Sequence, residues 1–313
     1  MVDLSVDCGG IRLANPVMPA SGTFASELAD IIELQRLGAF VTKTVTPGKR
    51  QGNPTPRVSE VPGGMLNSIG IPSKGVDAFI AETIPLYAGF DVPLVVSISA
   101  DTPDGFADIC RRVSVSGVAA VEVNISCPNI EDDGRAFAMR PETTLAVMRK
   151  LRQATDLPLW AKLTPNTGEI PAVAQAAEEG GADALVVANT ILAMSVDIRT
   201  RRASLGRVMG GLSGPAIKPI ILRMAYQCVR AVQIPVIGCG GIMTAADALE
   251  YLIVGCRAVQ VGTATFVHPG AMLTVIDGLE DYCRQNGIAR IADLTGTLSA
   301  EAHDASLEWE AIA

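Results

Sequence analysis

Two lysines stand inside apolar runs, Lys43 in FVTKTV and Lys162 in LWAKLTP. An ammonium held away from water needs an anion beside it, unless its long stem carries it to the rim of the fold. Cys127 lies in VEVNISCPNIEDDGRAF, just past an apolar run and ahead of Pro128 and a polar stretch that could close as a lid. With a reference pKa of ~8.5, a thiol in such a place can act as a base near neutral pH when a cation or dipole favours its thiolate. Most cysteines are inert small hydrophobes, and that reading suits Cys8, Cys110, Cys228, Cys239, Cys256 and Cys283. The two histidines, His268 and His303, fall at no strand end beside a carboxylate. The residues therefore support no metal site and no serine triad, and both histidines are expected at the surface.

These side chains need elements to position them. Short runs rich in Val, Ile and Ala alternate with stretches of helical periodicity. The expected strands are 16–19, 39–45, 93–98, 120–125, 158–163, 184–188, 235–238 and 258–261. Eight such parallel strands separated by helices predict an α/β fold, a (β/α)8 TIM barrel. Start and stop signals mark the helices TPDGFADICRRV, RPETTLAVMRKL and TAADALEYLIVGC. Residues 4–13, centred on Gly9-Gly10, read as an N-terminal hairpin plugging the barrel floor. Residues 46–74 and 195–214 are too long for simple turns and read as long active-site loops; the second, with Arg199, Arg201, Arg202 and Arg207, fits a partner contact or plain surface equally. With no linker or low-complexity tract, all 313 residues read as one domain.

A barrel of this kind works at the carboxyl ends of its strands. There the sequence places Ser21, Lys43-Thr44, Ser97, Asn124 with Cys127, Lys162, Asn189-Thr190, Gly240-Gly241 and Gly262-Thr263. The two glycine pairs, in GCGGI and VGTA, occupy the loops after strands seven and eight, where this fold binds phosphate through backbone amides. A phosphate-bearing ligand is expected. A flavin would also give the lysines an anion, since reduced FMN carries negative charge on its pyrimidine edge. The residues equally admit a Schiff-base lyase using Lys162 on a phosphorylated substrate, or a barrel kept as a scaffold.

The net charge of −8 gives no basic face for nucleic acid. No run is long and apolar enough to span a bilayer and the start lacks a signal-peptide pattern, so a cytoplasmic protein without membrane contact is expected. The 7 cysteines are odd in number and scattered, which predicts reduced thiols, no zinc and no iron–sulfur cluster held by this chain.

The segments NPVMPASGTF, GNPTPRVSEVPGGMLNSIG, VEVNISCPN, ANTILAM, GGLSGPAIKP, IPVIGCGGI and AVQVGTA resemble the class 1 dihydroorotate dehydrogenases across nearly the whole chain. NISCPN together with PGGMLN is highly specific, whereas many FMN barrels share the glycine motifs. The resemblance implies oxidation of (S)-dihydroorotate to orotate in de novo pyrimidine (UMP) biosynthesis. Cys127 would be the catalytic base that removes a proton, with hydride transfer to one FMN per chain. It implies that Ser21, Lys43, Thr44, Ser97, Asn124, Lys162, Ala188, Gly214, Gly240, Gly241, Gly262 and Thr263 surround FMN. It also implies that Lys43, Asn67, Ser68, Ile69, Gly70, Ile71, Asn124, Asn189 and Thr190 surround the substrate. NISCPNIEDDG and GLEDYCRQNGIARIADLTGTL resemble the NAD-linked type B catalytic subunit more than type A. That likeness implies a homodimer, or a heterotetramer with an electron-transfer subunit that carries FAD and an iron–sulfur cluster and passes electrons to NAD. Ser97, where type B chains commonly have asparagine, and the stretch IPSKG depart from the family pattern. A dihydropyrimidine dehydrogenase subunit is the nearest rival, although its usual ferredoxin-like cysteine runs are missing here.

Overall fold

The computed structural model describes residues 2–126 and 136–299. Cys127, its polar segment through Arg135, and His303 lie outside the described residues. Eight parallel strands form one sheet: β1 (Val17–Pro19), β2 (Phe40–Val41), β3 (Leu94–Ile98), β4 (Ala120–Asn124), β5 (Leu159–Lys162), β6 (Ala184–Val187), β7 (Val236–Gly238) and β8 (Ala258–Val261). Their lateral order is β1-β8-β7-β6-β5-β4-β3-β2. The two ends meet where the Gly38 amide donates to the Val17 carbonyl at 2.8 Å, drawing the sheet into the expected barrel. Only glycine allows that approach, because a Cβ at position 38 would stand 2.1 Å from the Asn15 carbonyl oxygen. Burial of every residue in β3, β4, β5 and β6 explains why these strands read as continuous apolar runs rather than alternating ones.

The second strand differs from expectation. Its regular part is Phe40–Val41, and it resumes only at the bridge between Val45 and Ile98. Val41 pairs with Val95 and Val45 with Ile98, so four steps along β2 face three along β3. One extra residue is a β-bulge, a device that re-aims side chains, and it falls on Thr42-Lys43-Thr44.

Around the sheet lie α1 (Pro103–Val113), α2 (Pro141–Arg152), α3 (Ile170–Glu179), α4 (Lys218–Ala231), α5 (Ala245–Ile253) and α6 (Ala271–Gln285). Thr102 caps α1 by accepting from the Gly105 amide at 3.0 Å. A capping box of Thr244 and Asp247 opens α5, each side chain satisfying a backbone amide that the helix leaves orphaned. The floor hairpin forms as predicted, with Val6 opposite Leu13 and a turn at Gly9 (φ 50) and Gly10 (φ 85). It is fastened to the barrel by Trp160, whose Nε1 donates to the Gly9 carbonyl at 2.9 Å.

The two long connections become a single structure. Strands Ile191–Ala193, Gly210–Ser213, Gly64–Asn67 and Val58–Val61 pair antiparallel in that order: two come from the first connection, one from the second, and Ile191–Ala193 from just before the second. The second connection, which composition left between partner contact and surface, thus belongs to the same assembly as PGGMLN. Its outer ribbon, Val196–Asp197 against Arg202–Ala203, projects into solvent, and Val208 and Met209 are exposed as well.

Candidate active site

The barrel interior is polar just below its carboxyl end. In the sheet order β4 and β8 are four strands apart on either path around the barrel, so a side-chain bond between them crosses its interior. Gln260 of β8 makes that bond, its Nε2 donating to Glu122 Oε2 of β4 at 2.6 Å. Lys162 of β5 donates to Gln260 Oε1 at 3.1 Å and to Ser21 Oγ at 3.3 Å. Its Nζ also lies 3.7 Å from Glu122 Oε1. The sequence argument that Lys162 needs a buried anion is met by Glu122, which is fully buried.

Above this layer the strand ends converge. Ser126 donates to Asn124 Oδ1 at 2.6 Å, while Asn189 Nδ2 reaches Ser126 Oγ at 2.6 Å and Asn124 Oδ1 at 3.4 Å. Asn189 is oriented by its own Oδ1, which accepts from the Thr190 amide at 2.8 Å. Asn166 fastens the following turn, donating to the Thr190 carbonyl at 3.2 Å and accepting from the Leu192 amide at 2.8 Å. On the bulge, Thr44 shares a 3.0 Å hydroxyl contact with Ser97, itself fully buried. Lys43 extends beside Gly22, where an added Cβ would lie 3.2 Å from its Nζ.

The antiparallel sheet is tied to this mouth through its inner strand Gly210–Ser213. Asn67 donates to the Gly211 carbonyl at 3.3 Å, and Ser68 Oγ accepts from Asn53 at 2.9 Å. Thr190 packs so closely on the backbone that a Cβ at Gly211 would fall 1.9 Å from its Oγ1. Ile69, Gly70 (φ 76) and Ile71 (φ 47) continue from Asn67 as a half-buried turn. On the opposite side Thr263 donates to Ser213 Oγ at 2.8 Å, joining the loop after β8 to the strand that leads into Gly214.

Gly240-Gly241 and Gly262-Thr263 follow β7 and β8, neighbours in the sheet, as the glycine argument requires. Gly241 adopts φ 69, and a Cβ there would lie 2.8 Å from the Lys218 amide nitrogen; at Gly240 it would meet Ile221 at 2.8 Å. The loop is therefore a close backbone turn that a side chain would fill, the form of a phosphate cradle. Lys218 is held back by Asp247 and Glu250, each at 2.7 Å. Ala188, at the end of β6, is buried and donates its amide to the Cys239 carbonyl at 3.0 Å.

Sequence reasoning missed Glu122, Gln260, Ser126, Asn166 and Ser213. The first two carried a signal, since a polar residue in the middle of VEVN or AVQV raises the same question as the lysines. Asn166 and Ser213 gave none, because loop hydroxyls and amides are ordinary until the chain folds. The six described cysteines are buried. Burial pushes the thiols of Cys8, Cys110 and Cys228 up to about 12, that of Cys256 higher still, and those of Cys239 and Cys283 in the same direction. Cys239 differs from the others in facing Lys162, whose charge and hydrogen bond oppose the burial. His268 is exposed.

A (β/α)8 barrel whose polar residues gather over a glycine cradle at its carboxyl end has the layout of an enzyme for a phosphate-bearing ligand. The family model described as dihydroorotate dehydrogenase matches residues 3–283. The catalytic subunit of dihydroorotate dehydrogenase B (NAD(+)) from Pelobacter propionicus is 46% identical over 299 residues, covering 95% of this chain and 98% of that protein. The subunit of the same name from Trichlorobacter lovleyi is 48% identical over 298 residues, with 94% and 98% covered. A crystal structure of DHODH from Eimeria tenella in complex with ferulenol superposes with a TM-score of 0.80 at 23% identity, covering 94% of this chain and 88% of that one. The chain belongs to the dihydroorotate dehydrogenase family.

Proposed function

We propose that the chain oxidises (S)-dihydroorotate to orotate, in pyrimidine biosynthesis, at the carboxyl mouth of its barrel. The observation that carries this reading is the amide and hydroxyl cluster of Asn124, Ser126 and Asn189, held between the Lys162 layer below and the Asn67 turn above. Such a cluster can hold the polar edges of a planar ring. The glycine cradle at residues 240–241 and 262–263 fits the phosphate of FMN, and the buried ammonium of Lys162 fits the pyrimidine edge of its ring system. Ser21, Lys43, Thr44, Lys162, Ala188, Gly214, Gly240, Gly241, Gly262 and Thr263 would hold the cofactor, with Ser97 acting on it through Thr44. When bound, FMN would supply a two-electron acceptor for the hydride lost from carbon-6 of the substrate.

The chain's own residues do the rest. Cys127, as thiolate, accepts the proton from carbon-5, and Lys43, Asn67, Asn124, Asn189 and Thr190, with the turn 68–71, fix the ring so that both hydrogens leave in geometry. The alternative use of Lys162 as a Schiff-base nucleophile is disfavoured by its contacts, because that chemistry needs a neutral amine and the carboxylate of Glu122 favours the ammonium.

We assign the physiological role by likeness to the type B relatives, whose names describe a catalytic subunit. The chain would act as one FMN domain in a homodimer, joined by an electron-transfer subunit carrying FAD and an iron–sulfur cluster that reduces NAD, in the cytoplasm. Among the described residues no helix is long and apolar enough to cross a membrane. A Cys127→Ala variant tests the base directly. In single-turnover mixing near neutral pH, flavin reduction by dihydroorotate should slow by about 10²–10⁴, and an undiminished rate would remove Cys127 from the mechanism.

A further inference from the structure

The interior of a barrel of this fold is ordinarily filled by layers of branched apolar side chains. Here one layer holds Glu122, Gln260 and Lys162, exposed to 0%, 1% and 3%. A carboxylate and an ammonium withdrawn from water this far are costly unless paired and hydrogen-bonded, so the arrangement needs a reason.

Its geometry supplies one. Gln260 can present its carbonyl oxygen to Lys162 only if its NH2 points the other way, and Glu122 Oε2 fixes that choice by accepting from Nε2 at 2.6 Å. Glu122 therefore acts on Lys162 twice: through the amide it orients, and through the charge of Oε1 at 3.7 Å. Among the described residues Oε1 has no hydrogen-bond partner, although it is buried. Among the described residues Lys162 is also faced by Ser21, which is neutral, and by Cys239, whose thiol burial pushes upward. Within this layer Glu122 contributes the carboxyl group.

We infer that Glu122 and Gln260 are positioning residues that hold Lys162 protonated and aimed at the ligand in the barrel mouth. Without Glu122 the same dry surroundings would favour the neutral amine, because burial disfavours the charged form of lysine. The inference concerns the charge state of Lys162; it rests on the flavin reading only where the flavin itself is the probe.

The test uses the isosteric Glu122→Gln variant, which keeps an oxygen able to accept from Gln260 while removing the charge. The full-length apoprotein is prepared with 13C-labelled lysine, the Lys162 Cε resonance is assigned with Lys162→Met, and pH is raised. The variant should lose the Lys162 proton at least about one pH unit earlier than the wild type, a tenfold change in the equilibrium. Glu122→Asp, which restores the charge, should recover part of the difference. The midpoint potential of bound FMN, followed over the same pH range, should fall more steeply with pH in Glu122→Gln than in wild type. A Lys162 titration identical in wild type and Glu122→Gln overturns the inference, whatever the variant does to stability. If the Lys162 resonance shifts and the flavin potential does not, Glu122 controls the lysine as inferred and the placement of the flavin beside it is what fails. Should Glu122→Gln not fold, Gln260→Met provides the second arm: it removes the bridging amide but keeps the carboxylate. Loss of wild-type Lys162 behaviour there supports the bridge, and wild-type behaviour contradicts it.

Discussion

Asn189 spends one amide nitrogen on two partners, Ser126 at 2.6 Å and Asn124 at 3.4 Å, while the backbone of Thr190 fixes its carbonyl. Its removal leaves Asn124 and Ser126 without their brace but touches neither the glycine cradle nor Lys162. Asn189→Ala should weaken orotate binding about tenfold, a loss of about 1–2 kcal/mol, with FMN content unchanged; spectral titration of the purified flavoprotein measures both. Residue-scale legibility followed chemical oddity. Lys43 and Lys162 stood out because a charge in an apolar run is anomalous, and the same test applied to Glu122 and Gln260 would have found the rest of the buried layer. Ser126 was overshadowed by its neighbour Cys127, and Asn166 acts on a turn 24 positions away in sequence, a relation only the folded chain displays.

At the scale of elements, the glycine loop after β7 depends on how α4 and α5 meet behind it. Lys218 at the start of α4 bridges Asp247 and Glu250 of α5, and its amine is held above the ordinary lysine value by hydrogen bonds to those two carboxylates. Burial alone would raise the Asp247 carboxyl, but hydrogen bonds from Lys218 and from the Met243 and Thr244 amides leave it below its usual value. A depressed folded-state pKa means stability that is present above the unfolded value and is lost as pH falls through the folded one. Acid below about pH 4 should therefore loosen this corner, and Asp247→Asn should lose about 1–2 kcal/mol at pH 7 while flattening the acid limb of the urea-denaturation profile. Barrel closure offers a second check at this scale. Gly38→Ala forces a Cβ toward the Asn15 carbonyl and should cost about 1–3 kcal/mol in the same assay. Strand positions were legible because a parallel strand buried on both faces writes itself as an apolar run. The bulge at residues 42–44 was not, because FVTKTV contains nothing that separates a regular strand from one with an extra residue. Pairing between the two long connections was equally hidden, since it joins Asn67 to Gly211 across most of the barrel sequence.

For the whole molecule, burial shields the six cysteines among the described residues. Cys8, Cys110, Cys228, Cys239, Cys256 and Cys283 are buried with their ionisation pushed upward, so they stay protonated and shielded in the native state. The reading of Cys127 as the base requires it to be the reactive one. Titration of the native protein with a thiol reagent at mildly alkaline pH should modify a single cysteine, protected by orotate and identified as Cys127 by peptide mapping, with the remaining six appearing only on denaturation. The global fold was readable from alternation and glycine placement, whereas the antiparallel sheet that gathers both long connections over the mouth was not. The central claim is that this mouth oxidises dihydroorotate. Anaerobic mixing of the purified FMN-loaded chain with dihydroorotate, dihydrouracil and NADH in separate runs tests it most directly. Dihydroorotate alone should bleach the flavin of the isolated chain within a single turnover and yield one orotate per FMN; bleaching by dihydrouracil, with dihydroorotate inert, would contradict the account.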